Sequence, residues 1–183
     1  MSRGDRDAAE ETVWEGRFIA AKRRGKWEYV ARTRGVSAAV VLAIDDGHVI
    51  LVEQYRVPVG APCLELPAGL VGDEAEGEAV EVAAIRELEE ETGYRAGRMV
   101  ELGRFHASPG MSSEGFTLLR AEGLTRTGAG GGVAGEDITV HRVRLEEVPA
   151  FVAARRAAGA AVDVKMLVLL AASMLQPAGA PGD

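Results

Sequence analysis

Three glutamates at helical spacing, Glu87, Glu90 and Glu91, precede a glycine near the middle of the chain. The pattern predicts a helix from Glu78 to Glu91 that ends before Gly93, since glycine is a common C-terminal cap. Like charges three and four residues apart cost an isolated helix roughly 0.2–0.5 kcal/mol per pair, so a compensating partner is expected. Clustered carboxylates are hard oxygen ligands suited to Mg²⁺ or Mn²⁺. The spacing therefore indicates a divalent-metal site, against the simpler alternative of a solvated acidic face.

The pattern is longer than the acidic cluster. It follows the spacing Gly-x5-Glu-x7-Arg-Glu-apolar-x-Glu-Glu-x-Gly-apolar at nine positions: Gly72, Glu78, Arg86, Glu87, Leu88, Glu90, Glu91, Gly93 and Tyr94. This segment resembles the signature box of the Nudix hydrolases, which cleave nucleoside diphosphates linked to another moiety. The resemblance implies an α/β (α+β) fold, an α/β/α sandwich around a mixed sheet. It also implies Mg²⁺ or Mn²⁺ as cofactor, because such ions clamp and neutralise a pyrophosphate.

Segments outside the box resemble one branch of that family, the ADP-ribose pyrophosphatases (ADP-sugar diphosphatases). They are Trp27–Thr33, Val52–Arg56, Leu64–Gly69 and Ser108–Gly110. In that branch the box is usually counted from the glycine of Pro-Ala-Gly, here Gly69, which lies ahead of Gly72. The loop that leads into the helix is therefore expected to carry a short insertion.

The resemblance also implies which residues hold the metal. Glu87 and Glu91, with Glu90 as a third, match the metal ligands of the box, and the backbone carbonyl of Ala68 matches a further one. Arg86 is interpreted as a salt-bridge partner that orients the helix carboxylates rather than as a substrate contact.

The resemblance also implies which residues contact the substrate. Arg56 matches an arginine that contacts the diphosphate, as suits a planar bidentate fork, and Glu65 is included in the same substrate site. Phe18 and Trp27 match aromatic residues that stack on adenine from different subunits of a homodimer. The alternatives are a surface role for Arg56 and simple packing of the N-terminal strands for the two aromatic residues.

Hydrolysis also requires a carboxylate outside the helix that takes a proton from water or helps to hold the metal. Glu114 follows the loop Ser-Pro-Gly-Met-Ser-Ser, and Glu136 follows a glycine-rich stretch, Gly128–Gly135, that is flexible by composition. The resemblance favours Glu114, with Glu136 as the alternative. Glu90 is a further candidate for a catalytic role.

Composition restricts the class of protein. The chain has 183 residues, of which 47% are apolar and 27% charged, as in ordinary globular proteins of one domain. A net charge of −7 argues against a nucleic-acid partner. The single cysteine, Cys63, is interpreted as a core residue and favours a reducing cytoplasm. No export signal or membrane span is expected, since the apolar run Met166–Ala172 is too short.

The elements predicted from local patterns alternate between strands and helices. The strands are Trp14–Phe18, Trp27–Thr33, Ser37–Ile44, His48–Gln54, Leu64–Leu66, Met99–Ala107, Phe116–Ala121 and Ile138–Val143, with a turn at Pro67-Ala68-Gly69 and late helices at Glu146–Ala158 and Asp163–Leu175. Three regions are expected: an N-terminal β-hairpin arm (1–35) that dimerises, the Nudix domain (36–175) and a disordered tail (176–183).

The function expected from the sequence is divalent-metal-dependent cleavage of a nucleotide sugar, with ADP-ribose giving AMP and ribose 5-phosphate. A GDP-mannose pyrophosphatase is the alternative within the fold, because the stretch Ala129–Val133 and the segment Glu136–Ile138 resemble that group as well. A non-catalytic ligand-sensing Nudix module is the alternative of another class. It is disfavoured because every box position is present.

Overall fold

The structure is a computed structural model, and it describes residues 3–33, 37–72, 78–133 and 135–175. The proposed loop insertion after Gly72, the boundary near residue 35 and the tail 176–183 lie outside these ranges. The helices are α1 (Arg3–Asp7), α2 (Val80–Thr92), α3 (Val148–Ala157) and α4 (Leu167–Leu175). The strands are β1 (Glu10–Glu15), β2 (Ile19–Arg24), β3 (Trp27–Arg32), β4 (Ser37–Asp45), β5 (His48–Arg56), β6 (Ala61–Glu65), β7 (Ala68–Val71), β8 (Tyr94–Arg95), β9 (Arg98–His106), β10 (Gly115–Glu122), β11 (Thr125–Arg126), β12 (Thr139–Arg144) and β13 (Ala161–Val162).

The central sheet divides into two halves that diverge from the β4–β5 hairpin. Asp46 (φ 45°) and Gly47 (φ 70°) form its turn, as the Asp-Gly pair predicts. The two strands pair only next to this turn. Farther from it, β4 pairs with β10 (parallel) and β7, whereas β5 pairs with β6 and β12. The divergence opens a space between the two halves.

Both faces of the sheet are covered by helices, which confirms the predicted α/β/α sandwich. Alternate residues of β4 point to opposite faces, as the two-residue period of a strand requires. Val41 belongs to the cluster that contains Leu88 of α2, whereas Val40 belongs to the cluster that contains Val152 of α3 and Leu170 of α4. Within the described ranges, none of the helices combines the length and apolar character that a bilayer crossing requires.

The predicted turn at Pro67-Ala68-Gly69 is wrong, because Ala68 begins strand β7, which pairs with β4 from Ser37 to Val40. Pro67 lies outside the strand, and its carbonyl accepts a hydrogen bond from the Val41 amide (2.8 Å). Proline lacks the amide that a ladder needs but is tolerated at a strand's edge. The composition is turn-like, yet pairing with a distant strand determines the conformation.

The predicted N-terminal hairpin is a three-stranded antiparallel sheet, in the order β1-β2-β3. Its first strand ends at Glu15, and Phe18 lies between strands. Lys22 lies in β2 and forms an ion pair with Glu10 of β1 at 2.5 Å. Glu10 also lies opposite Arg24 in the strand register, with 3.2 Å between their charged groups, so cross-strand ion pairs support this sheet. The acidic residues before Trp14 are therefore part of the sheet.

Candidate active site

A cavity of about 760 Å³ lies where the two halves of the central sheet diverge. Seven of the residues predicted for the site line it: Arg56, Glu65, Ala68, Glu87, Glu91, Glu114 and Glu136. Glu90, Phe18 and Trp27 do not. The cavity also contains cations that were not predicted, chiefly Arg32 and Lys165. Its volume falls in the range of about 300–1,000 Å³ that is usual for small-molecule sites.

Helix α2 presents the acidic side of the cavity. Leu88 is fully buried and anchors the helix on the sheet, and Gly93 ends it with φ 72°. Arg86 follows the interpretation from sequence, since its Nη1 lies 2.9 Å from a carboxylate oxygen of Glu87 and 3.5 Å from one of Glu90. One guanidinium therefore offsets part of the repulsion between the helix carboxylates.

Glu91 is the most buried of these carboxylates, with 6% of its surface exposed. The Ala68 amide donates a hydrogen bond to its Oε2 at 3.0 Å. Burial raises the pKa of Glu91 to about 8, and the charges of Glu87 and Glu136 contribute to the rise, whereas the Ala68 hydrogen bond and Arg56 oppose it. A divalent cation here would favour the ionised form of Glu91, because it supplies a positive charge next to the buried carboxylate.

These carboxylates fit the expected metal, although they are not arranged as a closed cage. Among the described residues, no group of three or more His, Cys, Asp or Glu side chains is preformed for a metal. Mg²⁺ commonly binds through one or two carboxylates plus substrate phosphates and water, so a closed cage is not required. Glu87 and Glu91 with the strand end at Ala68 are the residues that would hold the ion.

The glycine that this site needs is Gly69 of the Pro-Ala-Gly segment. A Cβ atom at this position would lie 2.0 Å from the Cγ and Cδ atoms of Glu87. Such a distance is far below van der Waals contact, so any side chain at position 69 would displace the Glu87 carboxylate. This result agrees with counting the box from Gly69, as in the resembling branch.

Arg56 is held in the cavity wall by Glu65. Its Nε and Nη2 donate to the two carboxylate oxygens of Glu65 at 2.6 and 3.0 Å. The Glu65 side chain is only 6% exposed, whereas that of Arg56 is 40% exposed. Because the fork is fixed on one side, the remaining donors of Arg56 are directed and available for an anion.

Arg32 is a cavity residue that the sequence analysis did not single out. Its Nε donates to Glu114 Oε1 at 2.6 Å, across 82 positions of the sequence. The contact is reinforced by backbone hydrogen bonds from Val30 to Met111 (2.9 Å) and from Ser113 to Val30 (3.0 Å). The only signal in the sequence was that Arg32 lies within the resembling segment Trp27–Thr33. Strand β3 thus anchors the loop that carries Glu114.

Glu136 is coupled electrostatically to the carboxylates of α2. Its charge, together with that of Glu87, contributes to raising the pKa of Glu91. The Val133 amide donates to Glu136 Oε2 at 3.0 Å, which fixes the side chain locally. The two loop carboxylates therefore differ: Glu114 is paired with Arg32, whereas Glu136 accepts a hydrogen bond from a backbone amide.

The two aromatic residues proposed for base stacking lie on the N-terminal sheet. Phe18 is 65% exposed, and Trp27 is 40% exposed. Trp27 lines a second, smaller hollow of about 310 Å³, formed with the segment from Pro109 to Ser113. Neither ring reaches the acidic cavity within one chain.

The buried Glu91 carboxyl predicts that stability depends on pH when no metal is bound. The unfolded state ionises near pH 4.5 and the native state near pH 8, so the native state retains the proton between these values. The free energy of unfolding should therefore fall as pH rises through this window, by at most about 1.4 kcal/mol per pH unit. Urea unfolding in EDTA from pH 5 to 8.5 measures it.

The matched variant for that measurement is Glu91→Gln, which cannot ionise. Its urea midpoint should change less over the same pH range than the wild-type midpoint does. The difference between the two midpoints, in favour of the variant, should be largest at high pH. Parallel curves for the two proteins would contradict the assignment of this pH dependence to Glu91.

The fold and the acidic helix together define the class of protein, and the comparisons agree. Residues 33–161 match the NUDIX domain model. The chain therefore belongs to the Nudix family, which confirms the resemblance found in the sequence.

Several relatives carry more specific names. The chain is 39% identical to an ADP-ribose pyrophosphatase of Bacillus subtilis over 89 residues, which are 49% of this chain and 46% of that protein. It is 42% identical to an ADP-sugar pyrophosphatase of Mus musculus over 105 residues, which are 48% and 47% of the two chains. The chain thus spans about half the length of these curated relatives. A crystal structure of an ADP compounds hydrolase has the same fold, with a TM-score of 0.65, 24% identity and 91% of each chain covered.

Proposed function

We propose that the protein hydrolyses the pyrophosphate bond of nucleoside diphosphate sugars, with ADP-ribose and water giving AMP and ribose 5-phosphate. The observation that carries this proposal is the composition of one cavity. The carboxylates Glu87 and Glu91 line it together with the arginines Arg32 and Arg56. Acidic residues alone would repel a diphosphate, and arginines alone would bind it without an obvious means of cleavage. Their combination suits metal-assisted hydrolysis, as do the names of the matching relatives.

Mg²⁺ or Mn²⁺ is the proposed cofactor, bound by Glu87, Glu91, Glu90 and the carbonyl of Ala68. When bound, the ion neutralises charge on the diphosphate and lowers the pKa of a coordinated water. Glu90 retains the 3.5 Å contact with Arg86, so it would have to turn toward the ion. The Arg86 side chain would then hold the Glu87 carboxylate in position.

Arg56 is proposed to bind the diphosphate, and Glu65 is proposed to hold Arg56 in the required orientation. The two hydrogen bonds between them leave one face of the guanidinium directed into the cavity. Charge-assisted bonds of this kind contribute about 1.5–3 kcal/mol each. The Arg32 guanidinium is a second donor in the same cavity, and it donates a hydrogen bond to Glu114.

The carboxylate that accepts the proton from water is proposed to be Glu136. The sequence favoured Glu114, with Glu136 as the alternative. Two observations support Glu136 instead: its charge contributes to the raised pKa of Glu91, and Glu114 already accepts a hydrogen bond from Arg32. Glu114 then serves mainly to hold Arg32 between turnovers.

A homodimer is proposed in which Phe18 and Trp27 from different subunits stack on the base. Both rings are exposed in the single chain, and exposed aromatic residues are typical of interfaces and stacking sites. Trp27→Ala should raise KM for ADP-ribose roughly tenfold, because base stacking contributes ~1–3 kcal/mol. Steady-state kinetics measures this, with kcat expected to change less than KM.

Phe105→Ala is a suitable control, since Phe105 is a half-exposed aromatic residue on β9 that stacks on Phe116 and lines neither of the two hollows. Analytical ultracentrifugation of the wild type tests the dimer directly. An unchanged KM in Trp27→Ala, or a monomeric wild type at assay concentrations, would remove the proposed cross-subunit base site.

The proposed compartment is the cytoplasm, as the sequence analysis expects. Cys63 is buried, and burial raises the pKa of its thiol to about 11. A protonated, buried thiol suits a structural role in a reducing environment. Trapping free thiols in lysates with a membrane-permeant reagent would measure its redox state, and an oxidised Cys63 would argue against this compartment.

The decisive experiment is a hydrolysis panel with ADP-ribose, GDP-mannose, other nucleotide sugars and dinucleoside polyphosphates, each with and without Mg²⁺. The proposal expects ADP-ribose to have the highest kcat/KM and AMP to be released only with metal. A preference for GDP-mannose would redirect the substrate assignment. Absence of hydrolysis for all of them, with tight binding of one ligand, would favour a sensing module instead.

A further inference from the structure

The C-terminal end of α2 is held by a glycine-rich loop. A helix leaves its last carbonyl groups without intrahelical partners. Here the amide of Gly132 donates to the Glu90 carbonyl at 3.0 Å, and the amide of Gly131 donates to the Glu91 carbonyl at 2.8 Å. The carbonyl of Gly93, just past the helix, accepts from Thr127 at 2.7 Å. The loop thus bonds to the backbone of the very residues that carry the acidic side chains.

This contact is so close that it requires glycine. A Cβ atom at Gly130 would lie 2.4 Å from the carbonyl carbon of Thr92. Gly130, Gly131 and Gly132 also have φ values of 69°, 110° and 82°, which side-chain-bearing residues rarely adopt. The stretch was expected to be flexible from its composition, but its glycines permit a close approach to the helix.

The other end of the same loop contacts Glu136. The amide of Val133 donates to Glu136 Oε2 at 3.0 Å, and the amide of Glu136 donates to the Val133 carbonyl at 3.0 Å. A Cβ atom at Gly132 would lie 2.4 Å from the Glu136 carboxylate oxygen. Gly132 is therefore placed between the backbone of Glu90 and the side chain of Glu136.

We propose that the segment Gly130–Val133, the glycine clamp, is a positioning element that fixes Glu136 relative to Glu87 and Glu91. The amides of Gly131 and Gly132 bond to carbonyl groups of α2, and the next amide, that of Val133, bonds to the Glu136 carboxylate. The distance between the helix and this carboxylate is therefore set by three consecutive residues. The clamp does not touch the substrate; it acts through Glu136. This inference rests on the proposed hydrolytic function, in which a water must be held between these carboxylates.

The test compares Gly132→Ala with Gly128→Ala. Gly128 lies in the same loop, a Cβ there meets nothing within 4 Å, and its φ is outside the left-handed region. Gly132→Ala should lower kcat by about tenfold to a hundredfold, since a displacement near 1 Å can have such an effect. Its KM should stay within about twofold of the wild type, because Arg56 is unaffected. Gly128→Ala should match the wild type in both.

A double-mutant cycle distinguishes positioning from general damage. In a Glu136→Gln background, Gly132→Ala should cause little further loss of kcat, because the group that the clamp positions is already removed. A full, additive loss in that background would overturn the proposal. So would a Gly132→Ala enzyme with the kcat of Gly128→Ala.

Amide hydrogen exchange provides a readout that does not depend on activity or on metal. The amides of Gly131, Gly132 and Val133 should be protected in the wild type, and Glu136→Ala should speed exchange at Val133 by removing its acceptor. Exchange at the rate of an unstructured peptide would overturn the clamp even if the enzyme is active. If the wild type hydrolyses no nucleotide sugar, the proposed function fails, whereas protection of these amides still tests the clamp. The measurement needs no glycine variant and remains decisive if Gly132→Ala does not fold.

Discussion

Replacing Glu87 or Glu91 by glutamine should lower kcat by orders of magnitude while the fold is retained. Both carboxylates line the cavity, and both stand on a helix whose packing depends on other residues, such as the buried Leu88. Glutamine keeps the size of the side chain but lacks the charge that a divalent cation requires. The apo protein should not be destabilised, because glutamine fills the same space and adds no buried charge. Turnover at saturating Mg²⁺ and thermal unfolding in EDTA measure the two effects.

Glu81→Gln is the matched control, since Glu81 is an exposed residue in the first turn of the same helix. It removes an equal charge from α2 without changing the cavity. Isothermal titration with Mn²⁺ should show weakened binding for Glu87→Gln and Glu91→Gln but not for Glu81→Gln. Near-wild-type turnover in either cavity variant would contradict the metal assignment.

Glu136→Gln should be the second most damaging single change. A positioned general base contributes typically 10²–10⁴-fold to rate, so kcat should fall by about that factor. KM should change little, because the group acts mainly in the transition state. The pH profile of kcat provides an independent readout, since the limb that reports the ionisation of the base should be lost in the variant.

Glu114→Gln is expected to be milder and to have a different signature. Its carboxylate is paired with Arg32, so its loss frees a cation in the cavity rather than removing a base. KM for a diphosphate substrate should then change more than kcat does. If Glu114→Gln instead lowers kcat by more than Glu136→Gln, the catalytic carboxylate belongs to the loop after β9, as the sequence favoured.

Local signals in the sequence were sufficient for much of the fold. The Asp46-Gly47 turn, the end of α2 at Gly93 and the continuous apolar run of β4 are each encoded within a few residues. Glu87 and Glu91 were found for the same reason, because their spacing along one helix is visible in the sequence. Where the period of the apolar residues matched a regular element, the predicted bounds shifted by only a few positions.

Long-range contacts account for what the sequence analysis missed. Strand β7 depends on pairing with β4, and the pairing of Arg32 with Glu114 spans 82 positions. Neither contact has a local signature. The glycine-rich loop was misjudged for a related reason: glycine lowers the order of an isolated segment, but it also permits approaches that no other residue can make. Whether such a loop is disordered or closely packed depends on the C-terminal end of α2 lying next to it, which the local sequence does not show.

The contribution of β3 to the cavity has a consequence for how such proteins diversify. The family match begins at residue 33, so Arg32 precedes it although its side chain lines the cavity. The acidic helix and this part of the cationic wall therefore lie on separate stretches of sequence, one inside and one outside the matched domain. A change confined to the N-terminal segment would alter this wall of the cavity and leave helix α2 as it is. Comparisons confined to the family segment would not detect such a change.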